Sequence, residues 1–229
     1  TYNGRRVVDG LSFEVAQGEI VGLLGPNGAG KTTAFYMTVG LIRPDGGTVC
    51  FNNVDITGQP MHKRARMGMG YLAQEPSVFR QLTVEENIRC ILEVLPLTKQ
   101  QRRQRLDELL EELNLTSHAK KKAMTLSGGE RRRLEITRAL VTNPTFLLLD
   151  EPFANIDPIS VQELKHLIQL LSKKNISILI TDHNAREIFS VVHRSYLVCE
   201  GKVLLSGAPE DLLKNEEARR RYLGVDFKL

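Results

Sequence analysis

Apolar residues in this chain follow two rhythms, and the rhythm changes with position. Positions 15–24 alternate weakly, then become continuously apolar at Ile20-Val21-Gly22-Leu23-Leu24, which predicts a buried strand. A glycine-rich turn follows, then a helical stretch over 31–39 with Gly40 as its stop. Pro44-Asp45-Gly46-Gly47 is a turn, and 48–51 and 68–72 are short strands. In the middle the period becomes helical. Leucines and isoleucines recur at helical spacing over 84–95 and 100–113, and Ser127 opens a long helix running towards Asn143. Leu134, Ile136, Leu140 and Val141 are its expected core positions. The α/β pattern then resumes. Phe146-Leu147-Leu148-Leu149 is a strand ending at Asp150-Glu151, 160–174 is an amphipathic helix, and 176–180 is a second buried strand ending at Thr181-Asp182-His183. A hairpin is expected around Glu200-Gly201, and 209–223 is charged and mostly helical.

These patterns predict one α/β domain over 1–229. Its core is interrupted: 1–74 forms the first part, 75–142 a helical insertion, and 143–229 the second part. Composition changes this little. The chain is 41% hydrophobic, enough for a core without disulfides or metal, and no apolar run approaches the length of a membrane span. Cys50, Cys90 and Cys199 are scattered and form no CxxC pair, which suits a reduced, cytosolic setting. Thirty-one basic residues against 27 acidic give +4. The basic residues cluster at 63–66, 102–105, 120–122, 131–133 and 219–221. Such clusters suit a solvated face, a nucleic-acid binder, or a surface serving anionic lipid or phosphate, and charge alone leaves all three open.

Three motifs carry chemistry. Gly25-Pro26-Asn27-Gly28-Ala29-Gly30-Lys31-Thr32-Thr33 fits G-x-x-x-x-G-K-[ST] between a predicted strand and a predicted helix. Backbone amides at the glycines and the helix N-terminus make an anion nest. Lys31 then supplies charge beside the β- and γ-phosphates of a nucleotide, and the Thr32 hydroxyl is placed to coordinate Mg²⁺. Asp150 and Glu151 close an apolar strand, where carboxylates face the ligand crevice of an α/β sheet. Asp150 suits a Mg²⁺ shell and Glu151 the activation of water, although an acidic pair in that place also caps helices. Leu126-Ser127-Gly128-Gly129-Glu130 reads as an S-x-x-E capping box, and equally as a phosphate contact in which the two glycines clear space for a ligand.

Together these elements resemble the nucleotide-binding domains of ABC transporters. The run from Gly25 to Thr33, the signature from Leu126 to Glu130 and the strand from Phe146 to Glu151 stand in that family's order. The resemblance implies a P-loop NTPase fold of the ABC ATPase type: a RecA-like α/β core, an antiparallel β subdomain and an inserted helical subdomain. It further implies a Mg²⁺-dependent ATPase in which two copies meet head to tail around ATP. Gln74, Glu151 and His183 would be catalytic, and Thr32, Gln74 and Asp150 would hold the metal. Tyr2, Asn27, Gly28, Gly30, Lys31, Thr32 and Thr33 would bind nucleotide. Ser127 and Gly129 would reach it from the second copy, and Asp157 would communicate between the copies. Outside that framework His183 is an unremarked polar residue. The signature ends in Glu130 where glutamine is commoner, and Asn155 stands where a glycine is usual.

The remaining stretches, including Glu151-Pro152-Phe153-Ala154, Thr181-Asp182-His183-Asn184 and the tail Tyr222-Leu223-Gly224, resemble the ATPases of bacterial lipopolysaccharide exporters. ATPases of branched-chain amino-acid importers are the nearest alternative. By that resemblance the homodimer sits at the cytoplasmic face of the inner membrane on two transmembrane permease subunits with an associated membrane protein, and no nucleic acid is expected. Phe79 and Arg80 would contact the permeases, although an aromatic after a loop also packs inward. A soluble ABC-type ATPase acting on nucleic acid or ribosomes, and an ATP-responsive module without hydrolysis, are the rival classes.

Overall fold

The structure is a computed structural model that describes residues 4, 6–224 and 227. Its centre is a six-stranded sheet made of β1 (Ile20–Leu24), β4 (Met69–Leu72), β5 (Phe146–Asp150), β6 (Ser177–Thr181), β7 (Arg194–Cys199) and β8 (Lys202–Gly207). The strand order is β4-β5-β6-β1-β7-β8. All neighbours are parallel except the β7–β8 hairpin. A small antiparallel pair, β2 (Cys50–Phe51) and β3 (Val54–Asp55), turns through Asn52 and Asn53, both at positive φ, where asparagine is tolerated.

The continuous apolar runs follow from burial on both faces of the sheet. Alternate residues feed different cores. Ile20, Leu24, Leu147, Leu149, Ile178 and Ile180 pack on one side; Val21, Leu23, Phe146, Leu148 and Leu179 pack on the other. The second side is covered by α1 (Lys31–Val39), through Ala34, Phe35 and Val39. A short helix, α2 (Met61–Arg66), follows the small hairpin. It carries too few apolar residues to show a helical period in the sequence.

Three helices stand between β4 and β5: α3 (Val84–Leu92), α4 (Lys99–Glu112) and α5 (Gly128–Leu140). They pack on one another, and α5 also packs against β4 and α6 (Pro158–Lys173). Each starts at a capping box, closed by Thr83 with Glu86, Thr98 with Gln101, and Ser127 with Glu130. Such reciprocal caps satisfy helix amides that would otherwise lack partners. Leu134, Ile136, Leu140 and Val141 are all buried. Beyond β6 lie α7 (Ala185–Phe189), and after the hairpin α8 (Pro209–Lys214) and α9 (Glu216–Ala218), which runs on into a wider turn over Arg219–Leu223. Lys165 on α6 forms an ion pair with Glu187 on α7, and both side chains are largely withdrawn from solvent.

This strand order decides where chemistry can occur. β1 lies between β6 and β7, so the connections leaving β1 and β6 diverge and open a crevice at the C-terminal strand ends. Asp150 ends β5, and Gly25, Gln74, Glu151, Asp182 and His183 lie within two residues of the C-terminal ends of β1, β4, β5 and β6.

Candidate functional site

The loop after β1 is shaped by its backbone. Gly30 caps α1 in a left-handed conformation at φ 100°, and a Cβ there would lie 2.5 Å from the Val7 carbonyl oxygen. Only glycine meets both demands. No side chain caps α1 and its first turn holds no acidic residue, which leaves its amides and dipole to an anion. The Lys31 ammonium folds back along the loop and donates to the carbonyls of Gly25 (2.6 Å) and Pro26 (2.9 Å). Burial pulls its pKa below the ordinary lysine value, while Glu151 and Asp150 oppose that shift. Asn27, Gly28 and Thr32 are exposed along the same loop, and Thr33 is half-buried.

Across the crevice, Asp150 is buried at 2% exposure. Its Oδ1 accepts a 2.6 Å hydrogen bond from Thr181, while its Oδ2 is buried without a hydrogen-bond partner among the described residues. Burial pushes its pKa above the usual aspartate value; the Thr181 bond opposes this and Glu151 adds to it. A buried carboxylate oxygen with nothing to accept from is costly unless a cation or its hydration shell satisfies it. Asp150 with Thr32 therefore fits a hard divalent cation such as Mg²⁺.

Glu151 stands next, in a left-handed conformation at φ 45° that turns it away from the strand direction. Its Oε2 accepts from Gln74 Nε2 at 3.0 Å and lies 3.5 Å from His183 Nδ1. Three residues from three strand ends, expected in the sequence to be catalytic, thus share one carboxylate oxygen. His183 is exposed and also lies 3.4 Å from Asp182, a buried carboxyl whose pKa burial raises.

The signature turn behaves as a cap. Ser127 Oγ accepts from the Glu130 amide (3.2 Å), and Glu130 Oε2 accepts from the Ser127 amide (2.8 Å). The Ser127 hydroxyl also interacts with the Glu130 carboxylate, which holds that carboxyl below the usual glutamate range. Gly129 has a packing reason beyond ligand clearance: a Cβ there would lie 2.1 Å from Ser160 Oγ, at the start of α6. Asp157 caps that same helix, accepting from the amide (3.0 Å) and hydroxyl (2.6 Å) of Ser160. The signature thus abuts the segment 155–160 of its own chain. Phe79 is 51% exposed, with the Arg138 guanidinium 4.8 Å from its ring centroid, and Arg80 is exposed beside it. The backbone of Phe79 is clamped by the buried Asn87, which accepts from its amide (2.8 Å) and donates to its carbonyl (3.0 Å). Tyr2, expected to bind nucleotide, lies outside the described residues.

Two contributors carried no assigned role in the motifs. Arg132 belongs to the basic cluster 131–133, yet it is buried. Its guanidinium donates to the carbonyls of Ala73 (3.0 Å), Asp150 (3.0 Å), Glu151 (3.0 Å) and Pro152 (3.2 Å), and pairs with Glu135 (2.9 Å). The signal was there in its phase, since it shares a helical face with Gly129 and Ile136. Tyr222, in the tail, donates to the His183 carbonyl at 3.3 Å, and burial pushes its pKa up to about 12.

The family model described as ABC transporter matches residues 8–154, across the loop, the helical insertion and the acidic strand. The chain belongs to the ABC transporter family. As an ABC ATPase it is 53% identical over 229 residues to the lipopolysaccharide export system ATP-binding protein LptB of Acidithiobacillus ferridurans, covering all of this chain and 95% of that one. It is also 53% identical over 230 residues to the LptB of Haemophilus influenzae, with the same coverage. Among solved structures, the ADP conformation of an ATP-binding cassette superposes with a TM-score of 0.85 at 28% identity, over 95% of this ABC chain and 92% of that one.

Proposed function

We propose that this ABC ATPase hydrolyses ATP as a Mg²⁺-dependent head-to-tail homodimer and drives the export of lipopolysaccharide from the inner membrane. The observation that carries the chemical half is the shared oxygen of Glu151, met by Gln74 and His183 beside the Lys31 loop. The transport half is supported by similarity at 53% to proteins named as LptB.

In this reading the amides of 28–33 and Lys31 bind the phosphate chain of ATP. Thr32, Gln74 and Asp150 would hold Mg²⁺, which would neutralise phosphate charge. Glu151 orients the attacking water and accepts its proton. His183 steadies the γ-phosphate, and the Ser127 hydroxyl and Gly129 amide of a second copy close over it. Because ATP contacts both copies, it favours the closed pair, and hydrolysis removes that bridge. Asp157 lies where the copies exchange this information. Phe79 and Arg80 meet the transmembrane partners, permeases resembling LptF and LptG with an LptC-like protein, at the cytoplasmic face.

Affinity purification from membranes, with identification of the co-purifying membrane proteins and a phosphate-release assay, tests both halves. Lipopolysaccharide-exporter permeases are expected. Amino-acid importer permeases would overturn the transport half alone; bound nucleic acid and no membrane protein would point to the soluble class.

A further inference from the structure

Glu130 has a second partner that the signature motif does not foresee. Its Oε2 takes the Ser127 amide at 2.8 Å, and its Oε1 lies 2.8 Å from Nε2 of His118. The other ring nitrogen of His118, Nδ1, is 2.9 Å from Ser117 Oγ. The imidazole is therefore held at both ends, with about a fifth of its side chain exposed. His118 sits in the turn Thr116–His118 after α4, some distance along the chain from the signature, so the contact is a tertiary one.

We propose that His118 is a positioning residue for the signature turn: it orients the Glu130 carboxylate that fixes Ser127, and the charge on its imidazole tunes that hold. The inference rests on the reading of 127–130 as a γ-phosphate contact. The physics is local. Neutral imidazole protonated at Nε2 donates to Glu130 and accepts from Ser117. The imidazolium donates to both and adds charge to the first bond, and charge-assisted hydrogen bonds are the stronger kind. Histidine side chains as a class change charge within the physiological range. Glutamine at position 130, the commoner residue in the family, could still accept from the imidazolium but would lose the ion pair, so the device is strongest with the glutamate found here.

Other charges face this pair. Lys120, Lys121 and Lys122 follow on the same loop, and Lys121 helps hold the Glu130 carboxyl below the usual glutamate range, after the Ser127 bonds and alongside His118. Glu85 and Glu86 open α3, whose first amides bond to the carbonyls of Ala119 and Lys121. Glu111 and Glu112 end α4, and Glu112 is occupied by Lys174. The charged group that His118 contacts directly is nevertheless Glu130.

The test follows the amides of Ser127, Gly128 and Gly129 by NMR in the nucleotide-free full chain over about pH 5 to 8, together with the His118 ring. The amides are expected to shift with the ring's own midpoint, to be flat in His118→Gln, and to uncouple from the ring in Glu130→Gln. In steady-state turnover, His118→Gln is expected to lower kcat about threefold at the acid end and to converge with the parent at the alkaline end, KM for ATP being unchanged. Amides that stay still while the ring titrates overturn the proposal. So does a kcat ratio that is the same at every pH, which marks a merely structural role. A chain that releases no phosphate at any pH overturns the ATPase reading instead, and the amide titration still decides this one.

Discussion

Arg132 and Glu151 show how much a single residue means here. Arg132 donates to four carbonyls on two strand ends and so fixes the backbone that aims Gln74 and Glu151. Arg132→Met strips those acceptors and leaves Glu135 buried without its cation. A loss of about 3–5 kcal/mol in urea unfolding is expected. Arg132→Lys keeps the charge but not the planar fork, so phosphate release should fall more than stability does. Glu151→Gln should retain nucleotide binding in a fluorescence titration while phosphate release drops about a hundredfold or more. Asp150 behaves in the opposite sense. Burial raises its pKa, so the folded chain binds this proton more tightly than the unfolded chain does. The resulting destabilisation is present above the folded pKa. It fades as pH falls through that value, and is gone below the ordinary aspartate value of 3.8. Asp150→Asn should therefore raise the nucleotide-free Tm near neutral pH by about 2–4 °C per kcal/mol relieved, a gain that disappears in acid, while abolishing Mg²⁺-dependent hydrolysis.

At the scale of elements, the decisive contact is between the signature turn and the start of α6. Gly129 leaves no room for a Cβ against Ser160, whose Oγ and Cβ would stand 2.1 and 2.5 Å away. Gly129→Ala should cost about 1–3 kcal/mol by overpacking, and Ser160→Gly in the same chain should recover most of it, as thermal unfolding of the single and double variants would reveal. Failure of that rescue would make ligand clearance the dominant reason for the glycine. This element boundary also marks what sequence could and could not tell. Strands with apolar residues on both faces, such as Phe146–Asp150, and helices with a capping box, such as α5, announce themselves through period and cap chemistry. The six-residue α2 and five-residue α7 do not, because neither completes enough turns to repeat. The packing of Gly129 on Ser160 was equally hidden, since two glycines in a row look the same whether they make way for a ligand or for a neighbouring helix. His183 was placed by family pattern, not by any property of its neighbours.

Across the whole molecule, the order of strands brings together residues more than a hundred positions apart, and no local pattern encodes that order. Charge clusters misled for the same reason. Arg64 and Arg132 sit in runs that look solvated, yet both are buried and bonded to backbone carbonyls, Arg64 to those of Met37, Thr38, Thr57 and Gln59. Their role is to join segments, and what they join is known only after folding. The outer surface carries a prediction of its own. Phe79 is exposed on a backbone clamped by Asn87, so its ring contributes little to the core. Phe79→Ala should leave Tm and basal phosphate release close to the parent while co-purification of membrane partners is lost. Normal assembly with this variant would remove Phe79 from the docking surface.

The ion pair between Lys165 and Glu187 has a consequence for how this chain can diverge. It joins the helix that begins at Asp157 to the helix that follows His183, in a place with little water to solvate either charge alone. Changing one partner strands the other, which costs more than losing both. Among related chains these two positions should therefore covary, appearing together as a pair of opposite charges or together as apolar residues, with mixed combinations scarce.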